Sequence, residues 1–197
     1  MTLLVTGFGP FPGVDRNPSG QVARALADAG EEGLVALTLP TEFERSFALL
    51  DRAVREHAPD ALLLLGVAET RPTLCLERFA LNWIEDGRPD AAGVRLGRPV
   101  VEGADHALPT TLPLDAMAAA LRRADVPFAF SSHAGTYVCN CLLYRALHAQ
   151  AAGGAPVPTG FVHVPMTRDL GDAPPDAPTL EDLVARVRVL VESLRTP

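Results

Sequence analysis

The chain has 197 residues, 48% of them apolar and 21% charged, and a formal net charge of −7. That length and mixture suit one globular domain with a sizeable core, and the acidic balance provides no basic field to release phosphate counterions, so no nucleic-acid partner is expected. All seventeen basic residues are arginine, which excludes a Schiff-base lysine, a P-loop lysine and a Ser–Lys dyad.

Met1-Thr2-Leu3-Leu4-Val5 lacks a basic segment, and its apolar run is too short for a signal peptide or a membrane span. Three cysteines are an odd count, and Cys139 and Cys141 stand one residue apart. No disulfide framework fits that spacing, so a reducing cytoplasm is the expected compartment.

Thr2 to Thr6 reads as a buried strand ending at Gly7. The loop Gly7-Phe8-Gly9-Pro10-Phe11-Pro12-Gly13 follows, and then a helix to Ala29, with Asn17 as N-cap and Pro18 at the first helical position. Leu34 to Leu39 is a second strand. Thr41 and Glu44 have the spacing of a capping box for a helix running to about His57, with Phe43, Phe47, Leu50 and Val54 on one face.

Ala61 to Leu65 reads as a central strand and Thr73 to Trp83 as extended. Residues 84–112 form a long Pro/Gly/Asp-rich excursion, a length that in a compact domain signals function or an interface. Leu114 to Ala124 is a helix, Phe128 to Phe130 a strand, Thr136 to Ala151 a helix, and Gly160 to Val164 a strand. Residues 168–178 form a Pro/Asp-rich linker to a last helix, Thr179 to Leu194, whose Thr179 and Asp182 again fit a capping box. Alternating strands and helices indicate an α/β fold, a single domain over 1–197 with a mostly parallel twisted sheet and helices on both faces.

Gly7-x-Gly9 between a strand and a helix invites a dinucleotide-binding reading, but the third glycine is misplaced and Pro10 and Pro12 remove backbone donors. A rigid loop that presents Phe8 and Phe11 at the strand's carboxyl end fits better, although either ring also suits ordinary core. Cys139 falls in the first turn of its helix, where free N–H groups and the helix dipole lower a thiol pKa and favour a nucleophilic thiolate. A lone cysteine is more often a buried structural residue.

Glu77 is a carboxylate inside an apolar strand and needs a partner, for which Arg78 is adjacent but faces the other way. His163 is the sole polar side chain of Phe161-Val162-His163-Val164, a position that also suits a satisfied core histidine. His133 is a second-choice base, whereas His148 points away from Cys139 on the helix. The sulfurs of Cys139 and Cys141 diverge on a helix, so no metal site is expected, and no cofactor is implied. Together, a helix-start cysteine, a strand histidine and a strand carboxylate are the three parts of a nucleophile–base–orienter set.

At these residues the sequence resembles the pyroglutamyl peptidase type I family of cysteine peptidases. The likeness runs through Val5-Thr6-Gly7-Phe8-x-Pro-Phe, Asn17-Pro18, Leu76-Glu77-Arg78-x-Ala80-x-Asn82, Ala134-Gly135-Thr136-Tyr137-Val138-Cys139-Asn140 and Gly160-Phe161-Val162-His163-Val164-Pro165. It implies Cys139 as nucleophile, His163 as general base and acid, and Glu77 as the group that orients the imidazole. It further implies Phe8 and Phe11 against the bound lactam ring, with Asn17, Thr41 and Val138 near that pocket. The substrates implied are peptides with an N-terminal pyroglutamate, and the assembly a homo-oligomer, tetramer or dimer.

The sequence departs from the family pattern in three places. Val67-Ala68-Glu69-Thr70-Arg71 stands where Gln-x-Gly-Gly-Arg is usual, Gly87-Arg88-Pro89-Asp90 replaces Arg-Ile-Pro-Asp, and Cys141 replaces a histidine. These changes touch the surroundings of the pocket and leave the three reacting groups in place, so the expectation is an active enzyme weaker than its relatives.

Overall fold

The apolar runs of the sequence become the strands of one sheet. The computed structural model describes residues 1–152, 156–170 and 173–195. In chain order the strands are β1 (Leu3–Phe8), β2 (Leu34–Leu39), β3 (Ala61–Val67), β4 (Leu74–Leu81), β5 (Ala107–Pro109), β6 (Phe128–His133) and β7 (Thr159–Val164). The helices are α1 (Pro18–Asp28), α2 (Phe43–His57), α3 (Leu114–Arg123), α4 (Val138–Ala152) and α5 (Leu180–Arg195). The sheet order is β2-β1-β3-β7-β4-β5, with β6 on the other edge of β4. Strands β1, β2, β3 and β7 are parallel, while β4 runs antiparallel to β7 and β5 and parallel to β6.

Alternation along the strands divides the core into two layers. Leu3 and Val5, Leu63 and Leu65, Leu74 and Leu76, and Val162 and Val164 pack with Val22, Met117, Leu121, Val187 and Leu190 of α1, α3 and α5. The opposite parity, Leu4 and Phe8, Leu62 and Leu64, and Phe161, packs with Phe43 and Leu50 of α2 and Val138, Leu142 and Tyr144 of α4. Residues of that second parity on β4 and β7 therefore look toward α4. Glu77 and His163 are among them.

Gly7 is a close-approach glycine inside β1, which continues to Phe8. A Cβ there would lie 2.0 Å from Ser19 O, so only glycine lets α1 settle on the strand. Asn17 caps α1 as expected, accepting from Ser19 N at 3.1 Å. Thr41 does not cap α2. The N-cap residue is Glu42, without a side-chain cap, and the Phe43 N–H is taken by Asp90 Oδ2 at 3.0 Å from the long excursion. Glu44 instead pairs with Arg145 at 2.6 Å.

The excursion carries more order than its composition suggested. It contains β5 and an antiparallel bridge between Ile84 and Arg98. Asn82 secures it, donating to Val101 O at 2.8 Å and accepting from Val101 N at 2.9 Å. Residues 171–172 of the expected 168–178 linker lie outside the described residues. In the described part, Thr179 and Asp182 form the expected capping box, at 3.0 and 3.1 Å. Among the described residues no helix is long and apolar enough to cross a membrane.

Candidate active site

Strand parity brings the candidate base and the candidate orienting carboxylate to the same face. His163 Nδ1 lies 2.6 Å from Glu77 Oε1, with Glu77 fully buried and His163 nearly so. A carboxylate at that distance accepts a hydrogen bond from Nδ1–H, which orients the ring and turns Nε2 away from Glu77. Arg71 Nη1 donates to the same oxygen at 2.5 Å. The partner of Glu77 is thus Arg71 from the β3–β4 connection, not Arg78. Arg78 is exposed and stacks on Phe130, 4.4 Å from the ring centroid.

The candidate nucleophile comes from α4. Cys139 is the second residue of that helix, so its N–H has no intrahelical partner. Asn140 fastens the helix onto β4, accepting from Leu81 N at 2.7 Å and donating to Leu81 O at 2.8 Å and Trp83 O at 3.1 Å. A buried asparagine next to the cysteine was the signal for this anchor in the sequence.

Cys139 Sγ rests above Gly66, where a Cβ would sit 2.9 Å from the sulfur. Gly66 is the ladder partner of His163, so the sulfur lies over the strand beside the imidazole. Cys139, His163, Arg71 and Tyr137 line one open cleft.

The resting state of the sulfur differs from the sequence expectation. Burial pushes the Cys139 thiol up to about 12, and the negative charge of Glu77 adds to the shift. The cysteine's own backbone N–H and the guanidinium groups of Arg71 and Arg88 act in the opposite direction but are outweighed. Helix-start donors are present, as the position implied; desolvation wins over them. The sulfur therefore rests as a neutral thiol and needs a base before it can attack.

A family model described as pyroglutamyl peptidase matches residues 1–195. The chain belongs to the pyroglutamyl peptidase family. It is 40% identical to a pyrrolidone-carboxylate peptidase from Thermococcus onnurineus, with 98% of each chain covered. It is 39% identical to a pyrrolidone-carboxylate peptidase from Deinococcus radiodurans over 98% of this chain and 94% of that one. Its fold superposes on the crystal structure of pyrrolidone carboxyl peptidase from Pyrococcus furiosus with a TM-score of 0.91. That likeness has 32% identity and covers 99% of this chain and 98% of that one.

The five side chains expected near a pocket differ in where they stand. Phe8 is 2% exposed and belongs to the core, because β1 runs on through it, whereas Phe11 is only half-buried. Asn17 and Thr41 converge on one carbonyl at the root of the phenylalanine loop: Asn17 Nδ2 and Thr41 Oγ1 each donate to Gly9 O at 3.0 Å. Val138 is fully buried at the start of α4. None of these five side chains lines the cleft that holds Cys139.

Tyr137 lines the cleft, and Arg88 stands over its ring. The Arg88 guanidinium lies 4.7 Å from the Phe11 ring centroid and 5.5 Å from that of Tyr137, and it donates to Pro12 O at 2.9 Å. It also pairs with Glu69 at 3.4 Å, so two of the departures from the family pattern meet each other. Tyr137 is held by donating to Pro89 O at 2.8 Å and by an edge contact to Phe43. Nothing in the sequence beyond its place two residues before Cys139 marked that tyrosine.

The remaining candidates lie elsewhere. His133 is exposed at the end of β6, where its Nδ1 accepts from Gly135 N at 3.1 Å. Cys141 is buried in the core between α4 and α2, and its thiol is likewise pushed up to about 12 by burial. Among the described residues no group of three His, Cys, Asp or Glu side chains is placed to hold a metal ion.

Proposed function

We propose that this chain is a cysteine omega-peptidase that hydrolyses the amide bond after an N-terminal pyroglutamyl residue, through a thioester on Cys139. The observation that carries the reading is the 2.6 Å contact between His163 Nδ1 and Glu77 Oε1 beside the cleft that Cys139 shares. It engages Nδ1 with the carboxylate and leaves Nε2 for the thiol proton.

In the proposed cycle His163 Nε2 takes the proton from Cys139 as the sulfur attacks the pyroglutamyl carbonyl carbon. The Glu77 carboxylate stabilises the imidazolium that forms. The unpaired Cys139 N–H, at the positive end of α4, donates to the oxyanion. The tetrahedral intermediate collapses as His163 gives its proton to the departing amine, and the C–N bond breaks. A water, deprotonated by His163, then attacks the thioester carbon and releases pyroglutamate and the thiol.

Recognition follows from the chemistry of the lactam, a flat, uncharged ring without the ammonium of an ordinary N-terminus. Phe11 and Tyr137 offer ring surfaces for it, and no acidic side chain is needed. Asn17 and Thr41 hold the Phe11 loop, while Phe8 and Val138 support it and the nucleophile from the core. The reading includes a cytoplasmic location, supported by three free cysteines, and a homo-oligomer, dimer or tetramer. Exposed Trp83 and Val94 on or beside the 84–112 excursion provide apolar surface for self-association.

The test is release of the chromophore from a pyroglutamyl amide. The reading requires turnover by the wild-type chain and a loss of at least about 10³-fold in Cys139→Ala. It also requires thiol-specific inactivation that a pyroglutamyl analogue slows. Saturable binding of the analogue without any turnover would point to a lactam-binding homologue instead.

A further inference from the structure

Beside the cleft that holds Cys139 and His163 lies a second cavity of about 220 Å³. Glu69, Thr70 and Arg71 form the wall common to both. Its other walls are Pro72 with Pro165 and Met166 on one side and Pro174, Asp176 and Ala177 on the other. We propose that this cavity is the subsite for the residue that follows pyroglutamate, and that it selects an apolar side chain of leucine or methionine size. The proposal rests on the peptidase reading above.

Position is the first argument. The departing amine has to lie at His163 Nε2 to receive its proton, so the residue carrying that amine lies within one residue length of the imidazole, about 3.8 Å along the chain. Pro165 stands two residues past His163, just beyond the end of β7, and opens onto this cavity. With the lactam ring against Tyr137, the leaving chain is directed along Arg71, which lines both the cleft and this cavity.

Chemistry is the second. The prolines present ring carbons and no N–H, and Met166 and Ala177 add apolar surface. Arg71 commits one amino group to Glu77 and keeps further N–H donors for a peptide carbonyl. Asp176 provides an acceptor for a peptide N–H. One cation and one anion flanking an apolar hollow match a peptide unit with an apolar side chain. The volume lies below the ~300–1,000 Å³ that whole small-molecule ligands occupy, which limits the occupant to about one residue.

Both walls are built rather than draped. Ala68 N donates to Val164 O at 3.0 Å and Arg71 N to Ala68 O at 3.1 Å, tying the shared wall to β7. Arg168 N donates to Pro178 O at 3.1 Å, Arg168 Nη1 to Ala177 O at 3.2 Å, and Ala177 N to Pro174 O at 2.9 Å, fixing the far wall.

The experiment compares kcat/KM of the full chain on pyroglutamyl-Gly-Ala, pyroglutamyl-Leu-Ala and pyroglutamyl-Trp-Ala. The expected order places Leu at least about tenfold above Gly, within the range that one apolar pocket supplies, and above Trp. Ala177→Trp, which fills the hollow, should cut the Leu-to-Gly ratio at least tenfold, and Met166→Ala, which widens it, should raise Trp relative to Leu. Thermal unfolding of each variant confirms that the ratio is read on folded protein. Equal rates for Gly and Leu in the wild type, or a uniform fall on all three peptides in Ala177→Trp, overturn the subsite while leaving the peptidase intact. Failure to turn over any pyroglutamyl peptide overturns both.

Discussion

The floor and the roof of the candidate site are built by different means. On the floor, Glu77, His163 and Gly66 sit on neighbouring strands whose register is set by main-chain ladders, and Asn140 pins the nucleophile helix by two hydrogen bonds to the end of β4 and one to Trp83 just beyond it. The roof is assembled from single side-chain-to-backbone bonds reaching across the sequence. Arg88 reaches Pro12, 76 residues away, Tyr137 reaches Pro89 across 48, and Asp90 reaches Phe43 across 47. Reacting groups thus stand on rigid elements and recognition on loops, a division that keeps the chemistry fixed while the pocket adapts. The contrast has a kinetic consequence. Changes to the floor should strike kcat, and changes to the roof should strike KM.

Glu77→Gln should break the floor most severely. The amide keeps the shape, but it no longer stabilises an imidazolium and leaves Arg71 beside a neutral partner. A fall in kcat of about 10²–10⁴-fold is expected, with KM changed little. A loss expressed in KM alone would mean that Glu77 serves only structure. Gly66→Ala comes next. The added Cβ would meet Phe161 Cζ at 2.7 Å and Cys139 Sγ at 2.9 Å, so one of them has to move. Displacement of the nucleophile by a fraction of an ångström to an ångström costs about 10²-fold in kcat, and overpacking costs about 1–3 kcal/mol of stability. Full activity in Gly66→Ala would remove the sulfur from the position described.

This division also explains what the sequence reveals. Apolar runs mark the longer strands and the helices to within a few residues, because those elements are specified locally, whereas the expected cap of α2 at Thr41 is absent. The strand carboxylate and strand histidine were conspicuous for the same reason: each is a polar residue in an apolar period-2 pattern. Their partners were less so. Arg71, in the β3–β4 connection, reaches Glu77 by the path of that loop, which no periodic pattern specifies. The Gly/Pro spacing around Phe8 reads as loop although β1 extends through it, and β5 is too short, at three residues, to rise above its Pro/Gly surroundings. The thiol of Cys139 is raised rather than lowered, because helix position is written in the sequence and desolvation is not.

Alkaline stability tests the neutral-thiol floor. The chain has no lysine, so between about pH 8.5 and 12 the titrating side chains are chiefly its cysteines and tyrosines. Cys139 and Cys141 are each pushed up to about 12 in the folded chain, above the ordinary thiol value. Tyr137 and Tyr144 are also raised by burial. A raised folded pKa means that the unfolded chain releases its proton first. The stability present below about pH 8.5 is therefore lost as pH climbs toward 12, at up to about 1.4 kcal/mol per pH unit for a buried thiol. Cys141, only 2% exposed, should contribute more than the partly exposed Cys139. A fall in Tm of about 4–8 °C between pH 8 and 10.5 is expected, and Cys141→Ala should flatten it. A Tm independent of pH across that interval would mean that the folded and unfolded thiols titrate alike, and would remove the burial shift.

Arg88→Met is the gentlest probe and the one that isolates the roof. The change keeps an unbranched chain over Phe11 while removing the donor to Pro12 O and the charge. The ion pair with Glu69 is long at 3.4 Å, and both side chains are nearly half exposed, so its loss matters little. The stacked cation over Phe11 is worth about 0.5–1 kcal/mol at such a site, and the hydrogen bond about as much again. Losing both should raise KM for a pyroglutamyl amide about threefold to tenfold and leave kcat within about twofold. If kcat falls instead while KM holds, the guanidinium acts on the reacting atoms, and the boundary between floor and roof has to be redrawn to include it.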